Sequence, residues 1–265
     1  MPGCWVRYPS NDFGANMKQT LKTVMKKLLP ASILEWRRNI LLEKELRQHD
    51  EEFGKKTAKE IFSKIYAQKM WGGAAADYCS GHGSHLKDHV DPYVQSVSVF
   101  LGQFPIPVDV VDLGCGDFNV GRQIRGKAAR YVACDVVPDL IARNSKVYAD
   151  LDVDFHVVDI SEDDLPQGDV VIIRQVLQHL SNAAIMKVVK KLGQFRYLVL
   201  TEFVPPGDFV PNVDQPTGSY SRLARGIPSG IVLTAHPFNL QIKSERLICE
   251  TPEQQGSLKV IVYEL

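Results

Sequence analysis

A chain of 265 residues with 45% apolar and 23% charged side chains, and 31 basic groups against 31 acidic, has ordinary globular composition and enough length for a full core. No apolar run approaches the ~18 residues of a membrane span, and five scattered cysteines (4, 79, 115, 134 and 249) argue against a disulfide framework. The opening MPGCWVRYPSND has no apolar signal-peptide core, so the cytoplasm is the expected compartment.

The zero net charge is a sum of unlike parts: +6 over residues 1–70 and −6 over residues 71–265. The basic excess lies mostly in Met17–Arg47, where Leu21, Val24, Met25, Leu28 and Leu29, then Ile33, Leu34, Ile40 and Leu41, recur at helical spacing on either side of Pro30. A basic amphipathic helix of this kind packs on its own domain, lies on an anionic membrane, or meets a partner or second copy. A further helix is expected over Thr57–Met70, with Thr57 and Glu60 at capping-box spacing and Ile61, Phe62, Ile65 and Tyr66 on one face. Residues 1–70 read as a helical extension and residues 71–265 as the main domain. The glycine-rich stretch 71–86 reads as a lid, and a helix follows from Lys87 to Gln103.

From Pro107 the pattern is regular. VDVVDLG, YVACD, VDFHVVD, DVVIIR and FRYLVLTE are short β-rich runs separated by helix-like stretches, which predicts a mostly parallel α/β sheet covered on both faces. GIVLT, RLICE and LKVIVYEL lack a helix between them and predict an antiparallel finish.

The first strand ends in Val110–Gly121, VVDLGCGDFNVG. Gly114 and Gly116 let backbone approach a ligand closely, but the dinucleotide pattern GxGxxG would need glycine at 119, where Asn119 stands. Asp112 would also be unfavourable beside phosphates. Asp135 ends the second strand, where a carboxylate accepts from ribose hydroxyls, and Asp159 at the end of the third can accept from an adenine amino group. The set suits a nucleoside carrying positive charge better than a diphosphate.

With these residues the sequence resembles the class I S-adenosylmethionine-dependent methyltransferases over roughly residues 85–265. VVDLGCGDFNVG, the acid of VACD, VVDI and RQVLQHLSN carry the resemblance, and Phe118 departs from it where many members have a third glycine. It implies a Rossmann-like, mostly parallel seven-stranded sheet with an antiparallel C-terminal strand. The implied cofactor is S-adenosyl-L-methionine, bordered by Asp112, Gly114, Cys115, Gly116, Asp135, Val136, Asp159, Ile160, Arg174 and Gln175. IYAQKMWGG, GSHLKDHVDPYVQSVSVFL and CGDFN are further similar to a bacterial subgroup associated with polysaccharide and surface-glycan biosynthesis, which implies O-methylation of a saccharide or saccharide-bearing acceptor. Methylation of nitrogen or carboxylate on a small metabolite is the alternative. A cofactor-binding module recruited through its basic helices is the non-enzymatic one.

Sugar hydroxyls are weak acids, so their methylation benefits from a positioned base. His179, directly after the fourth strand, is the first candidate, with Glu202 as a base or as its orienter. Val204–Gly230 is too long for a simple connection and reads as a substrate loop, its Asn212, Asp214, Tyr220, Arg222 and Arg225 available to polyol or anionic groups, with Gln178, His236 and Phe238 nearby. Cys79, His82, His85 and His89 have short metal-ligand spacings but not the separated pairs of a zinc site, so a lid without metal is the expectation. Nucleic acid is disfavoured as a partner because the body is acidic and has no aromatic-interleaved basic stripe.

Overall fold

The computed structural model describes residues 33, 40, 44, 51–73, 77–222, 229–253 and 256–265. The chain divides into two compact units, Met1–Gly54 and Lys55–Leu265. In the first, residues 33, 40, 44 and 51–53 are helical, and most of the basic stretch 17–47 lies outside the described residues. No helix among the described residues is long and apolar enough to cross a membrane.

The second unit opens with α1 (Ala58–Ala67), whose start follows the capping rule. Thr57 Oγ1 accepts from the Glu60 amide, and the Glu60 carboxylate accepts from the Thr57 amide at 2.8 Å, satisfying two otherwise orphaned donors. Helix α2 (Lys87–Leu101) buries Val90, Tyr93, Val97, Phe100 and Leu101, a spacing of three and four that turns one face to the sheet.

The strands are β1 (Val110–Leu113), β2 (Tyr131–Asp135), β3 (Asp154–Val157), β4 (Val170–Arg174), β5 (Tyr197–Val204), β6 (Ser244–Glu253) and β7 (Gly256–Glu264). They form one sheet in the order β3-β2-β1-β4-β5-β7-β6. The pairs β1–β2, β1–β4, β2–β3 and β4–β5 are parallel, whereas β7 runs antiparallel to both β5 and β6. The central strands β1, β2 and β4 are buried almost throughout, as their apolar runs require. The edge strands β3 and β6 carry Asp154, His156, Glu245 and Arg246 and face water, which blunts edge-to-edge pairing. Helices α3 (Gly121–Ile124), α4 (Pro138–Val147) and α5 (Asn182–Leu192) complete the crossovers.

One expectation is corrected here, and one departure is accounted for. GIVLT is not a strand: residues 230–234 run as a loop, with Ile231 and Leu233 buried. Asn212 supplies the hydrogen bonds a ladder would have given, accepting from the Val232 amide and donating to the Val232 and His236 carbonyls. The apolar run reflects burial, not pairing. Phe118, the departure from the glycine pattern, is fully buried at φ +62°, with edge-on rings of Tyr131, Tyr148 and Phe155 within 5.0–5.6 Å. Its packing holds a backbone conformation that a side chain normally avoids.

Phe118→Ala is therefore expected to cost about 3–5 kcal/mol. Phe118→Gly, which relieves the positive φ, should cost no more although it removes one more carbon. Denaturant unfolding of the two variants checks this, and a clearly larger loss for glycine would contradict it.

Candidate active site

In a parallel sheet a crevice opens where the strand order reverses, here between β1 and β4 at their carboxyl ends. A cavity of about 440 Å³ lies there. Its floor is the loop after β1. Gly114 has φ +83° and Gly116 has φ +56°. A Cβ on Gly114 would stand 2.3 Å from Val176 Cγ2, and one on Gly116 would stand 2.1 Å from Ser80 Oγ. These glycines therefore admit the turn after β4 and the lid segment, besides leaving backbone open to the cavity.

The loop is held from several sides. The Gly116 amide donates to Asp135 Oδ2 at 3.1 Å, and Asn144 of α4 donates to the Gly116 carbonyl at 2.7 Å. Asp117 accepts from the Ser80 amide at 3.0 Å and from His85 Nε2 at 2.7 Å, while its own amide donates to Ser80 Oγ. Asn119 donates to the Ser84 carbonyl at 2.7 Å, and Tyr66 shares a 3.0 Å hydrogen bond with Ser80. The segment 80–85 is thereby fastened over the loop. Burial would raise the Asp117 carboxyl, but the His85 hydrogen bond and charge and the two amides outweigh it and hold it below the ordinary range. The same hydrogen bond, with one that His85 gives to Cys79, pushes His85 up to about 10.

The potential metal ligands separate. Cys79 and His85 meet Asp117 with donor atoms within 4.8 Å of one another, whereas His89 turns to Glu253 at 2.6 Å.

Asp135 and Asp112 line the cavity. Asp135 accepts from Gly116 and Val137 amides, one per oxygen, which leaves lone pairs on both. Asp112 accepts from the Tyr131 hydroxyl at 2.9 Å. Loss of hydration pushes Asp112 up to about 7 and Asp135 up to about 6. Asp159 closes a turn, accepting from the Ser161 amide and hydroxyl, and lines the cavity with Val136 and Ile160. Cys115 lines it too, its thiol pushed well up by burial and neighbouring carboxylates.

On the β4 side, Arg174 donates to the Gly83 carbonyl and Ser84 Oγ and lies 5.1 Å over the Tyr93 ring. Gln175 takes φ +54° and donates its amide to the Thr201 carbonyl. His179 Nδ1 lies 3.3 Å from the Tyr220 carbonyl, to which it donates, leaving Nε2 as an acceptor that the Gln178 side-chain amide reaches at 3.4 Å. Its ring is 5.0 Å from Trp71, and loss of hydration pushes it down to about 4. Gln178 lines the cavity, its Oε1 buried without a hydrogen-bond partner among the described residues.

Other expected site residues are placed elsewhere. Glu202 does not line the cavity: almost wholly buried, it accepts from the Leu177 amide at 2.9 Å and supports the turn bearing His179, without touching the imidazole. Asn212 staples the loop described above. Asp214 accepts from the Asn182 and Gln215 amides. Arg222 is buried and donates to the Val213 and Leu180 carbonyls and to Asn182. His236 is exposed away from the cavity, and Arg225 falls outside the described residues. Of the substrate set, Gln178 and Tyr220 remain at the cavity. The sequence reading missed Phe62 and Tyr66 as wall residues, and Asp117, Asn119 and Asn144 as loop anchors. The direct succession of Asp117 upon GCG was the one local signal.

The strand order, the crevice and the glycine loop with acids following β2 and β3 define the Rossmann-like fold of the class I methyltransferases. Residues 111–195 match the family model described as methyltransferase domain. Carboxy-S-adenosyl-L-methionine synthases of Shewanella sp. (strain W3-18-1) and Shewanella baltica (strain OS155) are 30% identical over 122 residues, 41% of this chain and 50% of theirs. The chain thus spans half the length of these curated relatives. Among solved structures, the N-methyltransferase NodS of Bradyrhizobium japonicum WM9 with S-adenosyl-L-homocysteine is similar with a TM-score of 0.51 and 13% identity, over 68% of this chain and 89% of that one. Human N-acetylserotonin methyltransferase with S-adenosylmethionine is similar with a TM-score of 0.52 and 14% identity, over 87% and 67%. These likenesses show the fold.

The buried acids set a pH dependence. Glu202 is pushed by burial up to about 8, and Asp112 and Asp135 are raised as above. Each keeps its proton in the folded chain where the unfolded chain has lost it, so each withdraws stability as pH rises toward these values. His85, raised from 6.5 to about 10, acts in the same direction above pH 6.5, and the depressed His179 opposes only below that pH. Unfolding free energy should therefore fall between pH 6.5 and 8, and fall less steeply in Glu202→Gln. Denaturant titrations at the two pH values check it; equal slopes for wild type and variant would contradict the burial of a titrating Glu202.

Proposed function

We propose that this protein is an S-adenosylmethionine-dependent methyltransferase acting on a small-molecule acceptor. The observation that carries the reading is the charge of the cavity. Asp112, Asp117, Asp135 and Asp159 line it, against Arg174 as the single cationic side chain among the described lining residues. A cationic sulfonium nucleoside suits such a wall, and a polyphosphate does not. When bound, S-adenosylmethionine supplies a methyl group made electrophilic by its positive sulfur.

The chain's own residues do the rest. Asp135, with Val136 beside it, accepts from the ribose hydroxyls. Asp159 and Ile160 border the base, and Arg174 with Gln175 borders the amino-acid end. Segment 80–85 covers the glycine loop and excludes water. His179 orients an acceptor through Nε2; an imidazole pushed down to about 4 is too weak a base to strip an alcohol. A saccharide acceptor draws its remaining support from Gln178, Tyr220 and the serines at 219 and 221, since the other expected polyol groups are engaged in the loop. A carboxylate beside the cofactor, as in the product the synthase relatives are named for, would call on Arg174, which donates to the uncharged Gly83 carbonyl and Ser84 hydroxyl and whose Nε has no hydrogen-bond partner among the described residues.

Calorimetry with S-adenosylhomocysteine tests the proposal. Wild type is expected to bind it, and Asp135→Ala to bind about tenfold or more weakly, a loss of ~1.4 kcal/mol or more. No binding by wild type, or equal affinity in the variant, would remove the reading.

A further inference from the structure

The cavity has two unlike halves. The carboxylates stand in β1 (Asp112), at the end of β2 (Asp135) and in the loops after β1 and β3 (Asp117 and Asp159). On the other side of the β1–β4 switch the lining changes character. There α1 and its following turn contribute Phe62, Tyr66 and Trp71, the turn after β4 contributes His179, and the late loop contributes Tyr220. Trp71 makes an edge contact with Tyr66 at 5.3 Å, lies 5.9 Å from Phe62 and 5.0 Å from the His179 ring. Its indole N–H donates to the Ser219 carbonyl at 3.2 Å, which fixes the ring plane. Arg174, ending β4, is the one charged side chain on this side among the described lining residues, and it donates to the Gly83 carbonyl and the Ser84 hydroxyl.

Resting on the methyltransferase reading, we propose that the acceptor is a flat, uncharged aromatic molecule bearing the methylated hydroxyl or amine, held among Phe62, Tyr66, Trp71, His179 and Tyr220. Each requirement of such an acceptor meets something present. Its ring buries apolar area against aromatic faces and edges. Its polar group meets the acceptor nitrogen of a neutral imidazole in place of the Gln178 side-chain amide, which holds it by only a long 3.4 Å contact. An aromatic hydroxyl or amine needs little help to become nucleophilic, and this half offers no strong base. A carboxylate or phosphate acceptor would find Arg174 alone, against four carboxylates lining the same cavity. A sugar would leave most hydroxyls facing ring carbons, unpaired.

The transfer balances without another reagent: the acceptor lone pair forms a bond to the methyl carbon, the carbon–sulfur bond breaks with its electrons to sulfur, and the acceptor's proton passes to water. The test uses the full chain saturated with S-adenosylhomocysteine, titrated by calorimetry with 2-naphthol and, separately, with methyl glucopyranoside. Naphthol should bind and the glucoside should not. Trp71→Ala should weaken naphthol about tenfold or more while changing S-adenosylhomocysteine affinity by less than about threefold, and Trp71→Phe should keep most of the naphthol affinity. Glucoside binding as tight as naphthol, no naphthol binding to the loaded enzyme, or unchanged naphthol affinity in Trp71→Ala would overturn the inference alone. Failure of the wild type to take up S-adenosylhomocysteine would instead overturn the methyltransferase reading and this inference with it.

Discussion

The pair of peptide groups at Gly116 and Asp117 is the joint on which the site depends, because every neighbouring element is tied to it. β2 reaches it through Asp135, α4 through Asn144, α1 through Tyr66 and Ser80, and the lid through Ser80 and His85. The amides and carbonyls of Gly116 and Asp117 would otherwise be buried unpaired, at a cost of ~1–3 kcal/mol each, and are met by Asp135, Asn144, Ser80 and, at the Asp117 carbonyl, Arg143 and Tyr148. Side chains from distant parts of the chain satisfy them, and in doing so bring the walls of the cavity together. The packing of Phe118 beneath sets the direction in which the loop leaves the sheet.

Two constraints on charge follow from this construction. Burial first, and neighbouring carboxylates to a lesser degree, raise the protonation range of Asp112 and Asp135, which are unfavourable as ions in the folded chain until something positive lies beside them. The opposite half has Arg174 at the end of β4 and no carboxylate; beyond it, rings and a neutral imidazole leave only weak polar handles. A small molecule with a positive centre and a flat neutral one can occupy such a cavity side by side, each where its own chemistry is matched.

Much of the fold was legible in local pattern. VVDL, YVACD and VVIIR are apolar because both sheet faces are covered, and Thr57 with Glu60 announces a helix start at fixed spacing. GIVLT shows the limit: an apolar run records burial, and burial occurs in loops when a side chain such as Asn212 supplies the hydrogen bonds. The same limit governs the site. Asn212, Asp214 and Arg222 are the kinds of residue that bind ligands, and equally the kinds that satisfy buried backbone, and composition cannot tell the two uses apart.

The sequence by itself determined the alternation of strand and helix, the glycine loop with its acids at 112, 135 and 159, and hence which edge of the sheet meets a ligand. These are local facts, set by periodicity and by chain order around a parallel sheet. Only the tertiary structure decided which polar groups face the cavity and which are spent on the chain itself. It also decided that rings from residues 62, 66, 71, 179 and 220 form one wall. Those contacts join segments more than a hundred residues apart, where side-chain direction follows packing and no local preference records it.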